Sequence, residues 1–230
     1  MKRLLILATL ILIPTINALA QDDYKKYEFF AGYSALYLDN LAGDTSSPAI
    51  NDVLGEKQNL RGFNLAAGLN FHKYIGAKFD YSLHLREDEF TRPLGSGTID
   101  TTLQNFLGGI QIKNNSEDGP RFKPFGHALF GVAVQKVDLD SPQLPALFGI
   151  SDFSTNETSF SMAFGGGVDI KLNNRFDLRI VQIDWNIINR GDQQTGIVLA
   201  PTPFQTVGSP FLIPGTRQDN LRLGVGIVIH

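Results

Sequence analysis

His84 shares one face of an alternating segment with Asp80 and Ser82, and His127 lies in a later segment of the same kind. An imidazole beside a carboxylate and a hydroxyl is the raw material of proton transfer or nucleophilic catalysis, since histidine changes charge near neutral pH. The spacing does not assemble such a set. His127 is followed by Ala128 and Leu129 rather than by a hydroxyl and an acid, and His84 reads as a hydrogen-bonded interior residue. Gly165-Gly166-Gly167 is not a phosphate loop, because no helix follows it. The chain has no cysteine, which removes thiol chemistry, disulfides and Cys-type metal sites. Neither catalytic residues, nor a cofactor site, nor a metal site is expected.

A larger set of charges does share a pattern. Glu28, Lys78, Asp80, Arg86, Lys123, Asp169, Lys171, Asp177, Arg179, Asp184 and Arg222 fall opposite runs of apolar residues, with both signs nearly balanced. If these side chains face a common interior they must pair, because an unpaired buried ion costs several kcal/mol. The chemistry they imply is a salt-bridged plug, with a narrow or gated ion path as the second reading.

Strands must position them. In residues 157–172, Phe160, Met162, Phe164, Val168 and Ile170 alternate with Ser161, Ala163, Gly165, Gly167, Asp169 and Lys171, the period of a β-strand. Asn173-Asn174 turns the chain into a second strand ending near Ile188. There Asp177 and Arg179 have one parity, Gln182 and Asp184 the other, so a β-bulge near Ile180-Val181 would bring all four inward. Further strands are expected over 26–38, 60–71, 74–87, 101–113, 121–137 and 219–230. The outward set includes Phe29, Tyr33, Phe63, Phe79, Tyr81, Phe130, Phe160, Phe164, Trp185, Leu223 and Ile227; the inward set reads as Gly, Ala, Ser and charge. Leu103 and Leu107 interrupt the alternation of the fourth strand.

Eight strands result, joined by connections that alternate long and short. The long loops are expected at about 39–59, 88–100, 138–156 and 190–218, two of them with apolar runs, Leu144 to Phe148 and Ile197 to Ile213. Apolar residues outside, polar groups inside, an even strand number and that loop asymmetry predict an all-β fold, an eight-stranded antiparallel transmembrane β-barrel with short periplasmic turns and long external loops. Closure leaves no unpaired strand edge in lipid. A soluble barrel of the same strand number would instead line its interior with apolar residues around a ligand.

Composition agrees. Met1 to Ala20 has a basic start, an apolar run from Leu4 to Ile13 and a small-residue ending, so 1–20 reads as a signal peptide and 21–230 as the barrel domain. Removing Lys2 and Arg3 lowers 20 basic residues to 18 against 23 acidic ones, which disfavours a nucleic-acid partner.

The chain resembles the small outer-membrane β-barrel family of OmpA type and OmpX type. The resemblance rests on the opening YEFFAGYSALYLD, on Pro124 to Gly131, on FGGGVDIKL from Phe164, on RIVQIDW from Arg179 and on the closing LRLGVGIVIH. It implies an integral protein of a Gram-negative outer membrane with both termini periplasmic, expected to be a monomer inserted by the barrel-assembly machinery among outer-membrane lipid and lipopolysaccharide. Members usually end in an aromatic residue, whereas this sequence ends Val228-Ile229-His230, and the family's peptidoglycan-binding domain has no counterpart after the last strand. The implied role is structural or envelope-maintaining, or recognition of an external protein or glycan by the loops. The alternatives are a small porin or ion channel and, third, a lipid-modifying enzyme acting through His84 or His127.

Overall fold

The structure, a computed structural model, describes residues 24–39, 57–92, 95–140, 152–198, 210–213 and 215–230. The expected signal peptide, residues 40–56 of the first long loop and the Leu144 to Phe148 run lie outside the described residues.

Ten strands form. β1 (Tyr27–Leu38), β2 (Gln58–Asn70), β3 (Ile75–Arg92), β4 (Gly95–Lys113), β5 (Phe122–Asp140), β6 (Asp152–Lys171), β7 (Phe176–Asn189) and β10 (Arg217–Ile229) close into one barrel in the order β1-β10-β7-β6-β5-β4-β3-β2. β8 (Gln193–Val198) and β9 (Pro210–Ile213) make a separate hairpin within the fourth connection. Every barrel pairing is antiparallel, and first and last strands meet with Phe29 opposite Ile229 and Tyr37 opposite Leu221.

The alternation in the sequence becomes two faces. Phe29, Tyr33, Phe63, Phe79, Phe130, Phe160, Phe164, Trp185 and Ile227 are exposed on the outer wall. Tyr81 and Leu223 lie on the same wall, half-covered by their neighbours. Phe63, Tyr81 and Phe106 form an aromatic row across three strands, with ring centroids 6.0 and 4.9 Å apart.

Two expectations about the strands are corrected. Residues 88–100 and 138–156 are not simply loops. β3 and β4 remain paired up to Arg92 and Gly95, and β5 and β6 up to Asp140 and Asp152. β2 stops pairing with β3 at Leu85, so seven residues of β3 continue beyond it. At about 3.3 Å per residue that is roughly 20 Å of extra height along the strand. Turn-forming residues pulled the reading toward loop, but cross-strand pairing overrides weak local preference.

The second correction concerns β4. Leu103 and Leu107 do not interrupt the alternation: the odd-numbered residues from Ile99 to Leu107 are all buried, so both leucines face inward. The interior is therefore not confined to small and charged residues. Leu36, Leu38, Leu60, Ile99, Leu103, Ala133, Val137 and Ile188 form one buried apolar cluster at the long-connection end.

Candidate functional site

The interior is built in layers, beginning at the short-turn end. There Lys123 donates to Asp177 at 2.7 Å, and the His230 ring lies 2.9 Å from the same carboxylate. One layer further in, Lys113 bridges Glu28 and Asp169, its Nζ 3.1 Å from the Asp169 carboxylate. Arg179 faces the same two acids, donating to both oxygens of Asp169 at 2.8 and 3.1 Å and reaching Glu28 at 3.4 Å. Its guanidinium lies between the rings of Phe30 and Phe125, 4.3 and 4.0 Å from their centroids. Aromatic faces attract a cation and also exclude water from it, which strengthens its other contacts.

Gln182 carries the chain of bonds onward. It accepts from Arg179 at 2.8 Å and donates to Asp184 at 2.7 Å. Arg222 then donates to Asp184 at 2.6 and 2.9 Å and to Asp80 at 2.8 Å. Lys78 lies 3.5 Å from Asp80, and His127 sits between Asp184 at 3.0 Å and Lys78 at 3.4 Å. Above this a neutral belt follows. Ser34 and His84 are 2.8 Å apart, Asn64 donates to Asp80 at 2.9 Å, and Asn105, Ser161 and Asn186 link β4, β6 and β7. The apolar cluster lies beyond.

The bulge in β7 makes this assembly geometrically feasible. Val168 pairs with Val181 and the next residue, Asp169, pairs with Arg179, so Ile180 is the extra residue and is exposed on the outer wall. The same shift appears against β10, between Gly224 and Gly226. Asp177, Arg179, Gln182 and Asp184 are consequently all buried inside despite their opposite parities, and Trp185 is outside.

Glycines provide the space. A Cβ on Gly167 would clash with the Val181 carbonyl oxygen and come within 2.9 Å of the Phe125 ring that covers Arg179. On Gly165 it would meet the Asp184 carboxylate.

Of the eleven charges singled out from the sequence, Glu28, Lys78, Asp80, Lys123, Asp169, Asp177, Arg179, Asp184 and Arg222 are buried together. Two are corrected. Arg86 is half-buried and pairs with Asp88, because it lies just beyond the last β2–β3 pair, where the wall leaves the closed barrel. Lys171, at the very end of β6, turns out to the β4–β5 connection and donates to the Glu117 carbonyl at 2.7 Å. Lys113 was missed. Its odd-numbered parity within β4 was the available signal, obscured when Leu103 and Leu107 made that strand's register look broken.

His127 has an acid beside it, Asp184, whereas His84 is paired with a hydroxyl. Ser34 and His84 are wholly buried, and among the described residues His84 Nδ1 has no hydrogen-bond partner, so no described acid orients that imidazole. Among the described residues no group of three or more His, Cys, Asp or Glu is placed to hold a metal ion.

A model of the outer membrane protein β-barrel domain family matches residues 5–226. No curated protein matches the chain. Among solved structures, OprG from Pseudomonas aeruginosa is 15% identical with a TM-score of 0.55, over 90% of this chain and 96% of that one. Ail of Yersinia pestis, solved with the heparin analogue sucrose octasulfate, is 16% identical with a TM-score of 0.48, over 89% and 98%. Neisserial surface protein A is 12% identical with a TM-score of 0.45, over 90% and 99%. At these identities the likeness is one of fold.

Proposed function

This chain belongs to the outer membrane protein β-barrel domain family, and we propose that it serves there as a closed, non-catalytic barrel whose external hairpins form the working surface. The observation that carries the reading is the filled interior. The ion-pair chain, the Ser/Asn/His belt and the apolar cluster succeed one another along the axis. A charged path alone could pass ions, but a layer of leucines, isoleucine and valine resists wetting and blocks them. Eight strands leave an interior that side chains can fill.

The working surface follows from the uneven wall. β3 to β6 have 18, 19, 19 and 20 residues, against 12 and 13 in β1 and β2. A tilted spanning strand needs only about 9–11. Two paired hairpins thus rise past the rest of the barrel, a rigid mount for recognition of an external protein or glycan. In this reading both termini lie on the periplasmic side, and the protein is a monomer among outer-membrane lipid and lipopolysaccharide after insertion by the assembly machinery.

Single-channel recording of the refolded chain in a planar bilayer tests the closed interior, with protease protection of the strands as the control for insertion. Protected strands without a steady current support it. A reproducible current that changes with Lys78→Ala or Arg179→Ala overturns it and selects the second reading, a narrow ion path, which the continuous polar chain from Lys113 to Asp80 favours. For the surface role, deletion of residues 88–99 should leave barrel formation intact and reduce retention on a panel of immobilised polysaccharides and envelope-exposed proteins.

A further inference from the structure

The short-turn mouth of the barrel holds a cation that the interior network does not use. Tyr24 and Lys25 leave the wall just before β1 and join the connection after β4, with β2 and β3 between them. The Lys25 amide donates to the Asn115 carbonyl at 3.0 Å, Tyr24 bridges Ser116, and the Asn70 side chain donates to the Lys25 carbonyl at 2.9 Å. The lead-in is therefore tied across the mouth, which fixes the Lys25 backbone there.

Its ammonium is buried and, among the described residues, has no hydrogen-bond partner. The charged groups acting on it are Lys123, Asp177, Lys171 and Lys113. Asp177, the one acid among them, is already engaged by Lys123 and by His230. Lys113 is committed to Glu28 and Asp169. Lys171 uses one of its three donors on the Glu117 carbonyl and keeps the others. With Lys113 matched by Glu28 and Asp169, the three lysines Lys25, Lys123 and Lys171 are left with the one carboxylate of Asp177. Such an excess is unfavourable in a partly desolvated mouth and is relieved by a bound anion.

We propose that Lys25, Lys171 and Lys123 form a binding site for a small oxyanion, of the phosphate or carboxylate class, in the short-turn mouth of the barrel. Lys25 is the principal donor, Lys171 supplies a second from the rim, and Lys123 contributes field while holding Asp177. The site does not depend on whether the interior conducts. Burial and the neighbouring lysines already depress the Lys25 pKa to about 8 from 10.5, and a bound oxyanion would restore it toward the ordinary value.

The test uses the full chain refolded in alkyl-maltoside micelles free of phospholipid, with lysine labelled with ¹³C at Cε. Inorganic phosphate is titrated against chloride at constant ionic strength, and Lys25→Gln assigns the Lys25 signal. A saturable shift of the Lys25 and Lys171 signals, with a rise in the Lys25 pKa, is the expected result. Lys171→Gln should weaken binding about tenfold, the loss of one charge-assisted hydrogen bond. A Lys25 signal that ignores phosphate, or responds equally to chloride, overturns the proposal. A response to added phosphatidylglycerol but not to free phosphate also overturns it, since the ligand would then be a lipid headgroup at the rim. Fluorescence of the outer-wall Trp185 verifies that each variant is folded.

Discussion

Arg222→Met is the sharpest test of the interior network. The guanidinium is 1% exposed and makes three charge-assisted hydrogen bonds, two to Asp184 and one to Asp80. Methionine preserves much of the side chain's length and leaves two buried carboxylates short of a cation. Removing one partner of a buried ion pair costs about 3–5 kcal/mol. The lower end applies here, since Asp80 keeps Lys78 at 3.5 Å and Asp184 keeps His127 at 3.0 Å. At an m-value of about 2 kcal/mol/M, a loss of about 3 kcal/mol moves the urea midpoint of a vesicle-inserted barrel down by roughly 1.5 M. Trp185, the single tryptophan, sits half-exposed on the outer wall and reports the transition without added probes. Adding Asp184→Asn removes one of the stranded charges, so the double variant should cost less than the sum of the two singles by at least about 1 kcal/mol. A single-variant cost under about 1 kcal/mol, or strict additivity of the pair, would refute the view that these groups form one compensated unit.

Three further outcomes are expected. Gly167→Ala presses a methyl against the Val181 carbonyl and the Phe125 ring and should destabilise the barrel by about 1–3 kcal/mol in the same urea assay, with Gly191→Ala, which has open space around it, as the near-neutral control. Leu103→Ser combined with Leu60→Ser places hydroxyls in the apolar layer and should produce flickering single-channel current, whereas Lys78→Ala alone should not, because the layer still seals. Lys25 sets a pH signature: below about pH 8 it is charged in both folded and unfolded chains and the mouth carries its full penalty. Between about 8 and 10.5 the unfolded chain binds the extra proton, so stability should rise with pH across that window. Lys25→Gln should flatten that part of the profile, and a wild-type profile already flat there would remove the buried-ammonium argument.

The amino-acid pattern by itself determined the class of fold. Period-two alternation with aromatics on one parity and glycine, serine and charge on the other admits few solutions besides a closed sheet between lipid and a polar interior, and the turn at Asn173-Asn174 sets one hairpin. It also marked the β7 bulge, because Asp177 with Arg179 and Gln182 with Asp184 can share one side only if a residue is inserted between them.

Tertiary structure decided the rest. Whether Leu103 faces lipid or interior cannot be read from a leucine, which suits either, and only the register against β3 and β5 places it inward beside Leu60 and Ile188. Lys113 joins the ion network and Lys171 leaves it because of where each strand ends relative to its neighbours, a property of pairing rather than of local sequence. Lys25 is the extreme case. It lies in a polar lead-in with no strand pattern, and only the long-range tie to Asn115 places its ammonium in the mouth among three other lysines. Local pattern fixes which face a side chain takes, but the identity of its partners is set by closure of the barrel, which brings together residues as distant in sequence as Glu28 and Arg179.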